Sequence, residues 1–256
     1  MNEASNIFFK EHRGGGSKVG HPPLILIHGA GGTHLHWPPE LRRLRGEDVF
    51  VLDLPGHGRS SGDGEWAIEG YAKHVCDWMD ANNLDHAVVV GHSMGGAIGI
   101  KMGLNSAERL KGLILVGTGG RLRVHPTILC LTASPEGLLP AVDHIITVSF
   151  GSQVSSRMTE LAHAQMAETR PAVLHGDFLA CDQFDVLPLL GEIATPTLVI
   201  CGEEDQLTPL KYSRFLVDVI PNARLETIPS VGHMVMLEQP VAVAEAVKAF
   251  MNEIFG

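Results

Sequence analysis

The sequence predicts an α/β fold: a mostly parallel sheet of about eight strands flanked by helices on both faces. Two observations carry this. Apolar runs of strand length recur at 24–27, 49–52, 87–90, 113–116 and 197–200, and unbroken runs of this kind suit strands buried on both faces. Helix-length segments separate them. Ile68, Ala72, Val75 and Met79 fall at helical spacing, and 94–104 is rich in small and apolar residues. Such alternation is the pattern of parallel strands joined by crossover helices.

The flanking elements follow from local chemistry. Ahead of the first run, 7–10 and the Gly14-Gly15-Gly16 turn predict an antiparallel hairpin at the sheet edge. Behind the last run, 224–228 reads as a strand and 241–255 as a closing helix. Between 121 and 187 the rhythm breaks. Leu161 and Met166 keep helical spacing, but no buried strand interrupts the segment. It is expected to be a helical cap, inserted into a core built from 1–120 and 188–256.

Composition narrows the function classes. A chain of 256 residues can bury one sizeable α/β core. Nineteen Lys and Arg against 29 Asp and Glu give a net charge of −10, and the basic residues are scattered. That argues against a nucleic-acid partner. The first ten residues lack a basic stretch followed by an apolar one, and no run reaches the ~18 apolar residues of a membrane span. A cytoplasmic protein is expected. Cys76, Cys130, Cys181 and Cys201 form no CxxC pair, so they read as buried free thiols. Several histidines (His12, His34, His36, His125, His144, His163, His175) could suggest a metal, but none makes an H-x-x-x-H or H-E-x-x-H spacing. No metal is expected.

The chemistry concentrates in Gly91-His92-Ser93-Met94-Gly95-Gly96, which follows a buried strand and opens a helix. A serine on such a turn is held in a strained conformation with its hydroxyl exposed, and flanking glycines let neighbouring backbone pass. Gly and Ser often share ordinary turns, so the motif needs partners. An unactivated serine is a poor nucleophile; it needs a base, and the base needs an orienting carboxylate. Both follow in the chain at strand ends. Asp205 stands in Gly202-Glu203-Glu204-Asp205, with Glu203 or Glu204 as possible stand-ins, and His233 lies in Gly232-His233-Met234.

Negative charge developing on a carbonyl oxygen needs preorganised donors. His28-Gly29-Ala30-Gly31-Gly32 follows the first buried strand, and the backbone N–H groups of Ala30 and Met94 are the expected oxyanion hole. The same glycine turn could cradle a phosphate, but it lacks the Lys and Ser or Thr of a P-loop, and no dinucleotide fingerprint is evident. The turn from Asp53 to Ser60 reads as structural, with Asp53 a hydrogen-bond anchor.

These four motifs, His28 to Gly31, Asp53 to Ser60, Gly91 to Gly96, and the Asp205 and His233 loops, together resemble the α/β-hydrolase fold superfamily across the whole chain. The resemblance implies a Ser93, His233, Asp205 triad, a helical lid between the sixth and seventh strands, and no cofactor. Ser93 separates the chain from haloalkane dehalogenases, whose nucleophile is an Asp. Frequency within the superfamily favours a carboxylesterase acting on a small-molecule ester. Lactonases, thioesterases, carbon–carbon bond hydrolases of diketone acids and cofactor-free haloperoxidases share the turn, and a ligand receptor on the same fold is the non-enzyme alternative. An acidic carbon–carbon substrate would call for a cationic anchor, for which Arg121, Arg123, Arg157 and Arg170 are the candidates. Gly31, His92, Leu129, Met158, Met166, Leu207 and Met234 are the expected pocket walls, and a monomer or homodimer is the expected assembly.

Overall fold

The computed structural model describes residues 7–14 and 21–256. Among them, seven strands form one sheet: β1 (Phe9–His12), β2 (Leu24–Ile27), β3 (Val49–Leu52), β4 (Ala87–His92), β5 (Leu110–Val116), β6 (Thr197–Gly202) and β7 (Ala223–Ile228), in the order β1-β3-β2-β4-β5-β6-β7. All neighbours are parallel except β1 and β3, where Phe9 faces Leu52. β1 is thus an antiparallel edge strand, but it is not half of the expected hairpin. Both sides of β2 are taken by β3 and β4, so β1 pairs on the open side of β3 instead. Gly15 and Gly16 of the expected turn lie outside the described residues.

The sheet sorts its side chains by strand alternation. Ile25, Ile27, Phe50, Leu52 and Val89 enter one core layer, under α2 (Ile68–Ala81) and α3 (Met94–Asn105). Leu24, Leu26, Val49, Val51, Val88 and Val90 enter the other, under α1 (Pro39–Arg42) and α10 (Pro240–Phe255). Helix α2 buries Ile68, Tyr71, Ala72, Val75, Trp78 and Met79, an i, i+3, i+4, i+7 stripe. Each aliphatic side chain removed from water in these layers contributes about 1.5–3 kcal/mol.

Four helices, α4 (Pro126–Thr132), α5 (Leu138–Ser149), α6 (Ser156–Ala167) and α7 (Pro171–Gln183), separate β5 from β6. With seven strands described, this helical segment follows the fifth rather than the sixth. It has a small core of its own: Ile128, Ala141, Val142, Ile145, Met166 and Leu174. Its two roots run together, through an antiparallel bridge between Arg121 and Asp185 and backbone bonds Leu122 N–H to Phe184 and Val186 N–H to Gly120. Helices α8 (Leu210–Val219) and α9 (Val235–Glu238) complete the chain. No described helix is long and apolar enough to cross a membrane. All four cysteines are free, but the expectation of burial holds for Cys181 and Cys201 alone. Cys76 is half-buried, and Cys130 is exposed on the outer face of α4.

Candidate active site

Ser93 sits between β4 and α3 with φ 53° and ψ −115°. A non-glycine residue in such a conformation costs about 1–3 kcal/mol and persists where the surroundings over-determine it. Here they do. Ser93 N–H donates to Val116 O (2.9 Å), and Thr118 Oγ1 donates to Ser93 O (2.8 Å). Beneath the turn, a Cβ on Gly95 would run into the backbone carbonyls of Ile27 and His28, and one on Gly91 into that of Gly95. Glycine at 91 and 95 is therefore a packing requirement, and Ser93 itself is left half-buried.

Asp205 follows β6 and is buried. Its Oδ1 accepts from the N–H groups of Leu207 (2.9 Å) and Thr208 (2.8 Å), and its Oδ2 from Thr208 Oγ1 (2.8 Å) and His233 Nδ1 (2.9 Å). Burial pushes its pKa up, but the attraction of His233 and these hydrogen bonds outweigh burial, so the carboxyl lies below its ordinary range. Asp205 is ionised at neutral pH. It holds His233 with Nδ1 protonated, which leaves the Nε2 lone pair available.

His233 follows β7 and is fastened as backbone as well as ring. Its N–H donates to Ser149 O (2.8 Å) at the end of α5, and its carbonyl accepts from His92 Nε2 (3.0 Å). Glu238 accepts from Gly232 N–H (2.9 Å) and from Gly151 N–H (2.8 Å), pinning the His233 loop to the segment after α5. A Cβ on Gly117, next to Val116, would come within 3.3 Å of His233 Nδ1 and 3.4 Å of Asp205 Oδ2. The three residues thus follow the carboxyl ends of β4, β6 and β7, the edge at which open α/β sheets carry their sites. The hydrogen-bond chain runs from Asp205 to His233 Nδ1. Among the described residues it does not extend to Ser93 Oγ.

The Ala30 and Met94 N–H groups have no internal acceptor among the described residues. Met94 opens α3, whose first N–H groups are unpaired by helix geometry. Beside Ala30, Gly31 has φ +62° and gives its N–H to Asp177 Oδ2 of α7 (2.8 Å). Asp177 is fully buried and also accepts from Tyr71 OH (2.6 Å) and His57 Nε2 (2.8 Å). The other His57 nitrogen faces the Pro55 carbonyl at 3.0 Å. Both partners are acceptors, so both ring nitrogens carry protons and His57 is an imidazolium. Burial alone would lower its pKa, but Asp177 and the Pro55 carbonyl together raise it.

The remaining expected residues divide. Met166 packs over Gly31. His92 is buried and braces the His233 backbone, with burial and then His233 pushing its pKa well down. Met234 is buried in the second core layer, against which Met158 packs, while Leu129 and Leu207 are half-buried. Asp53 anchors its turn, accepting from the N–H groups of His34 (2.6 Å) and Arg59 (3.0 Å). A cavity of about 370 Å³ lies elsewhere, between the Gly56 to Gly62 turn and Gln165 to Arg170. Asp177, Tyr71 and Glu238 have no sequence signal of their own: the bond from Gly31 to Asp177 spans 146 positions. Among the described residues, no group of three or more His, Cys, Asp or Glu converges as a metal site.

The chain is similar to known proteins in sequence and in fold. The profile of the alpha/beta hydrolase family matches residues 24–246. A putative carbamate hydrolase, RutD, of Pseudomonas savastanoi pv. phaseolicola is 27% identical over 247 residues, covering 90% of this chain and 94% of the relative. The 2-hydroxy-6-oxo-6-(2'-aminophenyl)hexa-2,4-dienoic acid hydrolase of Metapseudomonas resinovorans is 27% identical over 243 residues, covering 90% of this chain and 84% of the relative. Among solved structures, a thermophilic esterase superposes with a TM-score of 0.85 at 35% identity, covering 97% of this chain and 94% of its own.

Proposed function

Because the chain belongs to the alpha/beta hydrolase family, we propose that it is a serine hydrolase that cleaves carboxylic esters through an acyl-enzyme on Ser93, under a lid formed by residues 121–187. The observation that carries this reading is His233, held by Nδ1 on a buried, ionised Asp205, with no hydrogen-bond partner at Nε2 among the described residues. His233 Nε2 takes the Ser93 Oγ proton as Oγ attacks the ester carbonyl carbon. The resulting oxyanion accepts hydrogen bonds from the Ala30 and Met94 N–H groups. Collapse expels the alcohol, which takes the proton from His233. Water, deprotonated by His233, then attacks the acyl-enzyme, and the acid is released as Ser93 Oγ takes that proton back from His233.

The choice of an ester over an anionic carbon–carbon substrate rests on the four candidate arginines. Arg121 lies 3.8 Å from Asp185, and Arg123 donates to the Asp182 carbonyl at 2.8 Å. Arg170 pairs with Asp63 at 2.9 Å, and Arg157 is exposed on α6. Three are committed at the lid's outer edges and the fourth faces solvent, so none supplies the anchor. The esterase neighbour at 35% identity supports the same choice. The test is a substrate panel of p-nitrophenyl esters, thioesters, carbamates and dienoic diketone acids, with Ser93→Ala as control. Neutral esters should give a burst of p-nitrophenol that Ser93→Ala abolishes. Turnover of carbamates or dienoic acids with inert esters would overturn the assignment.

A further inference from the structure

The proposed lid, residues 121–187, reaches the glycine turn after β2. Gly31, adjacent to the Ala30 donor, is held at both of its hydrogen-bonding ends by the lid: its N–H by Asp177 Oδ2 at 2.8 Å and its carbonyl by Thr169 Oγ1 at 3.1 Å. The space above it is filled from the same side. A Cβ at Gly31 would lie 2.7 Å from Leu174 Cδ1 and 3.2 Å from Met166 Cγ. Asp177 is in turn bound by two residues of the sheet domain, Tyr71 on α2 and His57 in the turn after β3. A fully buried carboxylate thus gathers three donors, two from core side chains and one from the oxyanion loop itself. Lifting the lid would strip all three and leave the His57 charge unpaired, a costly state in a low-dielectric interior. On the core side, the Gly29 carbonyl accepts from Gly32 N–H (3.0 Å) and faces His28 Nδ1 (2.8 Å). The core therefore secures the base of the loop, while its outer peptide depends on the lid.

We propose that Asp177 and Thr169 are positioning residues for the oxyanion hole: by fixing Gly31 they aim the Ala30 N–H at the Ser93 site, so the hole is complete only when the lid is seated. This rests on Ser93 as the nucleophile. It differs from a covering role because the lid then acts on the transition state, where charge appears on the carbonyl oxygen, more than on substrate binding.

The experiment compares Asp177→Asn and Thr169→Val with wild type on three readouts: kcat and KM for the best ester, Ki for a trifluoromethyl ketone of the same acyl group, and the rate at which a fluorophosphonate labels Ser93. The ketone's adduct places an oxyanion in the hole. Asp177→Asn should lower kcat about 10–100-fold, the scale of misplacing a preorganised group, and Thr169→Val about 3–10-fold, one hydrogen bond's worth. KM should move less than the Ki, which should rise in proportion to the loss of kcat/KM. If both variants keep kcat within twofold, or lose it with the ketone Ki unchanged, the proposal is overturned. Thr169→Val removes one hydroxyl at a half-buried position, and Tyr71→Phe frees one oxygen of Asp177, so the test stands even if Asp177→Asn fails to fold. Fluorophosphonate labelling does not depend on which acyl bond the enzyme cleaves. Slower labelling in the variants with no ester hydrolysis by wild type would sink the ester assignment and leave this inference standing.

Discussion

Two of the buried carboxylate–imidazole pairs among the described residues have nearly equal separations, Asp205–His233 at 2.9 Å and Asp177–His57 at 2.8 Å, yet their rings are engaged differently. In the first pair Nδ1 is engaged and Nε2 has no hydrogen-bond partner among the described residues. In the second, both nitrogens are protonated and spent, on Asp177 and on the Pro55 carbonyl. In the proposed mechanism the first pair holds a base; the second is a closed electrostatic tie between α7 and the core. What separates chemistry from structure is therefore which lone pair is left over, more than the pair itself.

The largest effect that would sharpen this contrast is on turnover. Asp205→Asn should lower kcat about 10⁴-fold by presenting the wrong imidazole tautomer, measured by steady-state ester hydrolysis. A loss below tenfold would mean that Asp205 does not orient His233. The second pair should answer in stability. Asp177→Leu, which leaves the His57 charge uncompensated, should cost about 3–5 kcal/mol in urea unfolding. Adding His57→Leu to that variant should recover part of the loss, because the unpaired buried charge is then gone.

A smaller effect concerns pH. The folded-state pKa of His57 is raised, so the tie stabilises the protein fully below the ordinary histidine range, and that stability is lost as pH rises through the raised value. The slope between the ordinary and the raised value is bounded by about 1.4 kcal/mol per pH unit for this one proton, and His57→Gln should remove that component from stability curves measured against pH. The smallest effect should come from Thr208→Val, which takes one donor from Asp205 Oδ2. It should reduce kcat only severalfold, about 0.5–1.5 kcal/mol.

The elements that bear on the site were legible from local pattern to different degrees. Ser93 was readable because its turn demands glycine on both sides, a steric need written within six residues. Asp205 and His233 were readable by position, since the carboxyl edge of a parallel sheet gathers whatever follows each strand. Helix α2 announced itself through its apolar spacing, whereas α8 has no comparable sequence reading, and its site-side contribution comes through the Thr208 and Asp205 loop before it. His92 illustrates the reverse problem. Sequence proximity to Ser93 suggested a pocket wall, but its ring turns inward to hold the His233 carbonyl.

By itself, then, the sequence determined the parallel sheet, the glycine-flanked turn of Ser93 and the helical character of the segment between β5 and β6, because each depends on periodicity or on backbone sterics within a few residues. Tertiary structure alone decided that β1 pairs with β3, that Glu238 ties the His233 loop to the lid, and that Asp177 holds Gly31. Those contacts join residues many positions apart, and a carboxylate becomes a tie only when folding buries it among particular donors. No local pattern encodes which donors those will be.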